Sequence, residues 1–503
     1  MTNQEKIARL YELLSEIEAY GRAMGKLNFD LECCAPEEGM EQAGEDMAIL
    51  GKHLHALNHA PEFTDLVCQL HADGAGLTAV QRRMVEKLYL FYQKTKNQTP
   101  EFSYEMDKAY NRAYGDWLRA KKAGDFGLYR DTFAEVIDFA RRDIALREEQ
   151  FDTPYDASLD DAERGMLSAD LDPFFAALKA RILPLTARIV AEGKPIREDF
   201  MTRSVPIPVQ EELSRYLLEA EGLRSTALVL MTTEHPFTTN FGPKDVRVTT
   251  HYYENSFISN VFTTLHEGGH ALFMQNEPEE LYANHCANYM SNGMHECISR
   301  FYENLIGRSE AFIHFIYPKL QALSGGVFAD VSERELYEAV NVARPSLIRT
   351  EADELTYCIH ILIRYEIEKA FVNGEITVDE IPALWNAKYK AYLGLDVPSD
   401  TVGCLQDVHW TGGWGFGYFP SYALGNAYGA QIMRVLRREM DVDAVIRAGE
   451  LWRVRDWLKE RVFSCASLLD PKQWLVQVTG ESLNVNYYLD YLEEKFTALY
   501  DLH

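Results

Sequence analysis

Positive charge is scarce in this sequence. Lys and Arg number 50 against 77 Asp and Glu, so 50 − 77 leaves a net −27. A chain this acidic repels phosphate backbones and anionic lipid surfaces, which excludes nucleic acid and membrane as general partners. Paired cysteines are missing too. The 8 cysteines fall at positions 33, 34, 68, 286, 297, 358, 404 and 465, with no CxxC spacing. That excludes a disulfide framework and a zinc-knuckle pattern. No apolar stretch reaches the roughly 18 residues that a membrane span needs. The N-terminal MTNQEKIARLYELLSEIEAYGR has no basic start followed by an apolar run, so no signal peptide is expected. A reduced, soluble, cytoplasmic protein is the expectation. Glycine (31) and proline (18) are few, so long uninterrupted elements are allowed. Apolar residues are not lacking: 47% of the chain is hydrophobic, enough for a large core rather than disorder.

Helical periodicity fills most of the chain. Ile7, Leu10, Leu13, Leu14, Ile17 and Tyr20 recur at three- and four-residue steps within 4–28. Thr78 is a fitting N-cap for a helix through Lys96. Segments 126–150, 169–192, 208–223, 350–373, 379–393, 421–440 and 484–500 show the same pattern. One stretch differs. From about 225 to 257 Thr, Val, Tyr and Asn accumulate around Gly242-Pro243, and VRVTTHYY alternates as a strand does. No repeat, low-complexity run or Gly/Ser/Pro-rich linker divides the chain. The expected architecture is mainly α, one body over 1–503 with a small β element at 225–257.

The strongest chemical signal is His266-Glu267-Gly268-Gly269-His270. On a helix, positions i and i+4 share a face, so two imidazoles converge on one metal ion. Glu267 then stands beside the metal, where it can activate a water. Apolar flanks (Val261, Phe262, Leu265, Ala271, Leu272, Phe273) mark a buried helix. Two glycines inside a helix cost about 1 kcal/mol each, which is reasonable if something such as a substrate strand must lie against that backbone. A catalytic zinc site takes three protein ligands. A metzincin third His would stand at 276, which is Asn276, so that class is excluded. Glu277, Glu279 and Glu280 are too close to fold back. Glu296 opens the helical pattern HECISRFYENLIG and is the preferred third ligand, with Glu303 the alternative. His295, next to Glu296, is expected to be a surface or supporting residue. His53, His55 and His59 also cluster, but no Glu follows the first, and a half-exposed helix is the better reading.

Other stretches hold candidates. His235-Pro236-Phe237 and Asp245-Val246-Arg247-Val248-Thr249 lie in the β element. A strand edge beside the metal helix can bind a peptide backbone, while an Asp245–Arg247 pair bracing a hairpin is an equally good reading. Arg349 follows Leu347-Ile348 and shares a helix face with Asp353 if that helix continues. A buried Arg needs a carboxylate, either Asp353 or a peptide C-terminus. The Gly-rich GCLQDVHWTGGWGFGYFPSYALGNAYG carries His409, Trp410, Tyr418 and Tyr422, which suit a substrate wall with a donor for an oxyanion.

In these motifs the sequence resembles the carboxypeptidase Taq type of metallocarboxypeptidase, peptidase family M32. HPF at 235–237, DVRVT at 245–249, HEGGH at 266–270, HE at 295–296, IRTEAD at 348–353 and GCLQDVHW at 403–410 stand in order, and the resemblance runs from about 5 to 500. Cys297-Ile298 stands where the family usually has Ser-Gln or Gly-Gln, and Phe29-Asp30 and Cys34-Ala35-Pro36 where it often has Trp-Asp and Met-Pro-Pro. The resemblance implies a gluzincin-like helical body with a deep central groove and the small sheet beside the HExxH helix. It implies His266, His270 and Glu296 as metal ligands, Glu267 as general base and Arg349 as the grip on the substrate's terminal carboxylate. His409 and a following Tyr, Tyr422 ahead of Tyr418, would support the intermediate; His235 and Arg247 would lie on the substrate side. It also implies a homodimer using zinc or cobalt that releases C-terminal residues other than proline from peptides. The competing readings are a metallo-oligopeptidase and a non-catalytic peptide- or metal-binding protein.

Overall fold

The computed structural model describes residues 1–413 and 415–502. It is built almost wholly of helices. Those that matter to the site are α1 (Asn3–Cys33), α2 (Pro154–Ala162), α3 (Ile207–Glu221), α4 (Phe257–Asn276), α5 (Asn292–Arg300), α6 (Tyr357–Asn373) and α7 (Pro420–Glu439). The expected helix after Thr78 runs over Ala79–Thr95, and Thr78 forms a reciprocal capping box with Gln81. The helix expected at 350–373 starts later, at Tyr357. Arg349 sits instead in a short 3₁₀ turn, Arg349–Glu351. Asp353 causes the delay: its carboxylate accepts from the backbone N–H groups of Arg344, Leu355 and Thr356 and from the Thr356 hydroxyl. These bonds hold the chain in a loop, as short acidic side chains do at helix starts.

The β element is a three-stranded sheet of β1 (Leu228–Thr232), β2 (Thr238–Asn240) and β3 (Val246–Thr250), in the order β1-β3-β2. β3 pairs in parallel with β1 and antiparallel with β2. The alternation read from VRVTTHYY holds for Val246, Arg247 and Val248, with both valines fully buried, and then ends, because Thr249 and Thr250 are both buried as well. The link from β2 to β3 turns at Gly242, whose φ of 122° few other residues tolerate. A buried polar knot fastens the sheet to the metal-motif helix. The Asn260 amide oxygen, on α4, accepts from Ser214 of α3, Thr250 of β3 and Thr264.

One cluster of buried apolar side chains runs from Ala113 to Leu502 and includes α4, α5, α6 and α7. A smaller one joins Ile7, Leu10 and Leu14 of α1 to Phe63, Val67, Met84, Leu281 and Cys286. No helix among the described residues is long and apolar enough to cross a membrane.

Candidate metal centre and peptide groove

α4 carries His266, Glu267 and His270, and α5 brings Glu296 to them. Glu296 Oε2 lies 3.7 Å from His266 Nε2, and Oε1 lies 4.0 Å from His270 Nε2. One ligand atom from each of the three falls within 4.8 Å of the others, the donor set of a catalytic zinc-type site. The far ring nitrogens are held from behind. His266 Nδ1 is 2.8 Å from Glu303 Oε2, and His270 Nδ1 is 2.6 Å from His295 Nδ1. Both contacts leave Nε2 aimed at the site, the orientation such partners give metal-binding imidazoles. Glu303, the alternative ligand of the sequence reading, is thus a partner of His266. His295 is half-buried beside His270, where it lines the larger of the two cavities at the site, and it stacks on Phe273. Burial pushes His295 down to about 4 and His270 well below its ordinary range. At His266 burial also opposes protonation, but the Glu303 carboxylate outweighs it and raises the ring. Burial raises the Glu303 carboxyl in turn, yet Arg300, His266 and Arg308 together override that and hold it near 2.

The glycines between the histidines are explained by protein, not by a substrate strand. A Cβ on Gly269 would lie 2.7 Å from the Ile298 carbonyl oxygen and the Ser299 Cα. A Cβ on Gly268 would meet Glu221 Oε2 at 1.8 Å. Glu221, at the end of α3, is completely buried, and neither carboxyl oxygen has a partner among the described residues; burial pushes its pKa far up. On the other side of α5, a Cβ on Gly425 of α7 would lie 2.8 Å from the Glu296 Cβ. Helix α5 is therefore wedged between two glycine faces, and its distance from α4 is set by backbone contact. Gly269→Ala should force the helices apart. The expected cost is about 1–3 kcal/mol, read as a lower Tm, together with weaker metal retention against a chelator. Wild-type values for both would contradict this packing.

The N-terminus of α5 is fixed as firmly. Glu163, just past α2, accepts from the Ser291 hydroxyl, the Gly293 N–H and the Tyr428 hydroxyl at 2.8, 2.8 and 3.1 Å. A carboxylate at a helix N-terminus is favourably placed. Burial nevertheless raises it to about 7.

Glu267 is 6% exposed, and the Thr238 hydroxyl of edge strand β2 donates to its Oε2 at 2.6 Å. Burial raises this carboxyl above its ordinary range. Two adjoining cavities, of about 640 and 790 Å³, meet here, and His266, Glu267, Arg300 and Arg349 line both. Thr238, Thr239 and Asn240 of β2, with Tyr418 and Tyr422, line the larger one. The sheet edge thus borders the metal helix, as the sequence led one to expect.

The structure separates the remaining candidates. Arg349, 6% exposed, donates through Nε to Asp407 Oδ1 at 2.8 Å and through Nη1 to the Tyr357 hydroxyl at 3.1 Å. Its carboxylate partner is therefore Asp407, which Arg364 also binds, and not Asp353, which is committed to its capping bonds. His409 does not line either cavity. It stands behind Tyr422, with Nε2 3.4 Å from the Tyr422 hydroxyl. Burial, reinforced by Arg349, lowers the His409 pKa to about 3, so the ring is neutral at physiological pH. Burial raises both Tyr418 and Tyr422, so their hydroxyls keep their protons. Arg247 pairs with Asp245 at 2.9 Å and packs over the rings of Phe29 and Phe241. It braces the sheet and α1 outside the two cavities. His235 is exposed on the turn between β1 and β2, also outside them.

Glu368 of α6 fixes the loop that carries His409 and Tyr418. It accepts from Trp410 Nε1, the Tyr155 hydroxyl and the Gly417 N–H at 2.6, 2.9 and 3.1 Å. Burial raises it from 4.5 to about 7. The folded state thus holds this proton more tightly than the unfolded one. Its contribution to stability is full below the ordinary carboxyl range and is lost as pH rises through about 7. Glu368→Gln, close in shape to the protonated acid, should match the wild type near pH 4. It should lose less stability by pH 8, a difference on the order of 3 kcal/mol at full titration. Denaturant unfolding of both proteins across that range checks it; parallel curves would refute the assignment.

Sequence reading missed Arg300, Tyr357, Asp407, Thr238, Glu163 and Glu368 as parts of the site. Arg300 and Glu303 had a signal. Glu296, Arg300 and Glu303 stand at i, i+4 and i+7, one helical face, although the last turn widens into a π-helix over Phe301–Ile306. Such widenings are frequent at functional sites. Glu163 and Glu368 had none, because they reach the site only through tertiary contacts.

The chain is similar to known proteins over nearly its whole length. The family model of the carboxypeptidase Taq (M32) metallopeptidases matches residues 9–496. Carboxypeptidase 1 of Bacillus subtilis is 38% identical over 492 residues, covering 97% of this chain and 98% of that protein. Thermostable carboxypeptidase 1 of Thermus thermophilus is 34% identical, with 99% and 100% covered. The crystal structure of the M32 carboxypeptidase from Deinococcus radiodurans superposes with a TM-score of 0.95 at 30% identity, covering 99% of this chain and 100% of that one. The chain, whose two helix-borne histidines are joined by a carboxylate from α5, belongs to the carboxypeptidase Taq (M32) family and is a metallocarboxypeptidase.

Proposed function

We propose that the whole chain, 1–503, is one catalytic unit. It holds zinc, or cobalt in its place, on His266, His270 and Glu296 and trims single residues from peptide C-termini. A divalent ion at these ligands would supply Lewis-acid polarisation of the scissile carbonyl and of the attacking water. The protein's own groups do the rest. Glu267, steadied by Thr238, takes the proton of the attacking water and passes it to the leaving amine. The Tyr422 hydroxyl, oriented by His409 and seconded by Tyr418, donates to the developing oxyanion. Edge strand β2 offers backbone groups for an extended peptide, and Asp245–Arg247 stiffens that sheet from outside. His235 on the β1–β2 turn would meet only the outer part of a longer substrate.

The observation that carries this reading is Arg349. A guanidinium this deeply buried lines the same cavities as the metal ligands, and no hydrogen bond from its Nη2 is found among the described residues. A bidentate grip on a terminal carboxylate would place the last peptide bond near the metal. Broad side-chain tolerance, rejection of C-terminal proline, a cytoplasmic location and a homodimer complete the proposal on the strength of the family. Metal analysis combined with amino-acid release from an N-blocked peptide tests it. One zinc or cobalt per chain and release from the free acid, but not from its C-terminal amide, are expected. Metal without any release would favour a binding protein, and equal cleavage of acid and amide an oligopeptidase.

A further inference from the structure

Two arginines of the groove converge on one hydroxyl. Tyr357 accepts from Arg349 Nη1 at 3.1 Å and from Arg300 Nη2 at 3.0 Å. Arg300 then reaches the other way. Its Nη1 donates to Glu303 Oε2 at 2.9 Å, the same oxygen that holds His266 Nδ1. Its Nε lies 3.8 Å from Glu296 Oε2 and has no hydrogen-bond partner among the described residues. The guanidinium also packs over the Tyr357 ring, 4.4 Å from the centroid. One rigid planar fork therefore touches the support of one metal ligand, the flank of another and the support of Arg349.

We propose that Arg300 is a positioning residue that sets the distance between the metal and the carboxylate anchor, and so the register at which the peptide is cut. The proposal rests on the reading of Arg349 as that anchor. The physical case is one of rigidity. Arg300 comes from the ligand helix α5, four residues after Glu296. Tyr357 opens α6, and Arg349 precedes it in a separate loop. No other guanidinium among the described residues hydrogen-bonds to both Glu303 and Tyr357. Lysine cannot reproduce the contact, because an ammonium is a point charge on a flexible stem. A misplacement of about 1 Å between anchored substrate and reacting centre can cost on the order of 10²-fold in rate.

Three variants test this: Arg300→Gln, Arg300→Lys and Tyr357→Phe, each compared with the wild type and Arg349→Ala. Zinc affinity is measured by chelator competition. kcat and KM are measured with saturating zinc on an N-blocked dipeptide. Arg300→Gln should weaken zinc binding by about 10- to 100-fold, because Glu303 loses its restraint. Its kcat should fall about 100-fold with KM nearly unchanged, because Arg349 keeps Asp407. Arg300→Lys should move the same way but less, and it can be read even if the Gln variant fails to fold. Tyr357→Phe cuts only the anchor half: kcat should fall while zinc affinity stays wild-type. Wild-type kcat and zinc affinity in both Arg300 variants would overturn the proposal. So would a rise confined to KM, which would make Arg300 one more substrate contact. If Arg349→Ala instead cleaves free acids like the wild type, the anchor reading itself has failed. The zinc affinities, which need no substrate, keep the two failures apart.

Discussion

Glu267→Gln is expected to bind its metal like the wild type and to lose about 10²–10⁴-fold in kcat, the usual worth of a positioned acid–base group. Glutamine keeps the size of the side chain and can still accept from Thr238, which donates to Oε2 at 2.6 Å. The three ligands are untouched, since Glu267 points beside them. What disappears is a carboxylate able to take a proton and return it. Burial already raises the Glu267 carboxyl, which makes it a better base once ionised. Metal content of the purified variant and its turnover of an N-blocked peptide decide the matter together. Full activity would remove Glu267 from the chemistry; lost metal would make it a structural residue.

Arg349→Ala is expected to lower kcat/KM on free-carboxylate peptides by about 2–5 kcal/mol, roughly 30- to several-thousand-fold, the range for deleting one partner of a buried charge pair. The effect should be selective. Any residual cleavage of a C-terminally amidated peptide should stay at its wild-type level, so the preference for the free acid should collapse. The fold has a reserve for this change: Asp407 retains Arg364, whose Nε donates to Oδ2 at 2.7 Å. Metal content should stay at the wild-type level, because among the described residues the hydrogen bonds link Arg349 to the proposed ligands through Tyr357 and Arg300. An unchanged ratio of acid to amide cleavage would mean that another group recognises the C-terminus.

The parts of this site legible in the sequence are those written in local spacing. His266, Glu267 and His270 share one turn of helix, so their convergence follows from helix geometry alone. Glu296 came from asking which later carboxylate could return to that turn. The sheet beside α4 came from a change of composition between 225 and 257. What stayed hidden depends on long-range packing. Gly268 and Gly269 signalled close approach, but nothing local could show that Glu221 and the α5 backbone are the neighbours. Arg349 announced a buried cation without naming Asp407, which lies 58 positions away. The helix expected from 350 failed because Asp353 competes for backbone N–H groups, a local effect that periodicity does not register. His409 looked like an oxyanion donor among many aromatics, and only the fold places it behind Tyr422.

The central claim is that the groove measures from the C-terminus: Arg349 holds the carboxylate, and the metal site reaches the bond next to it. A time course of the products from one N-blocked hexapeptide, followed by mass spectrometry, tests this most directly. The account predicts free amino acids leaving one at a time from the C-terminus, with the shortened blocked peptides appearing in strict succession. Internal fragments at early times, or the same products from the C-terminal amide, would contradict it.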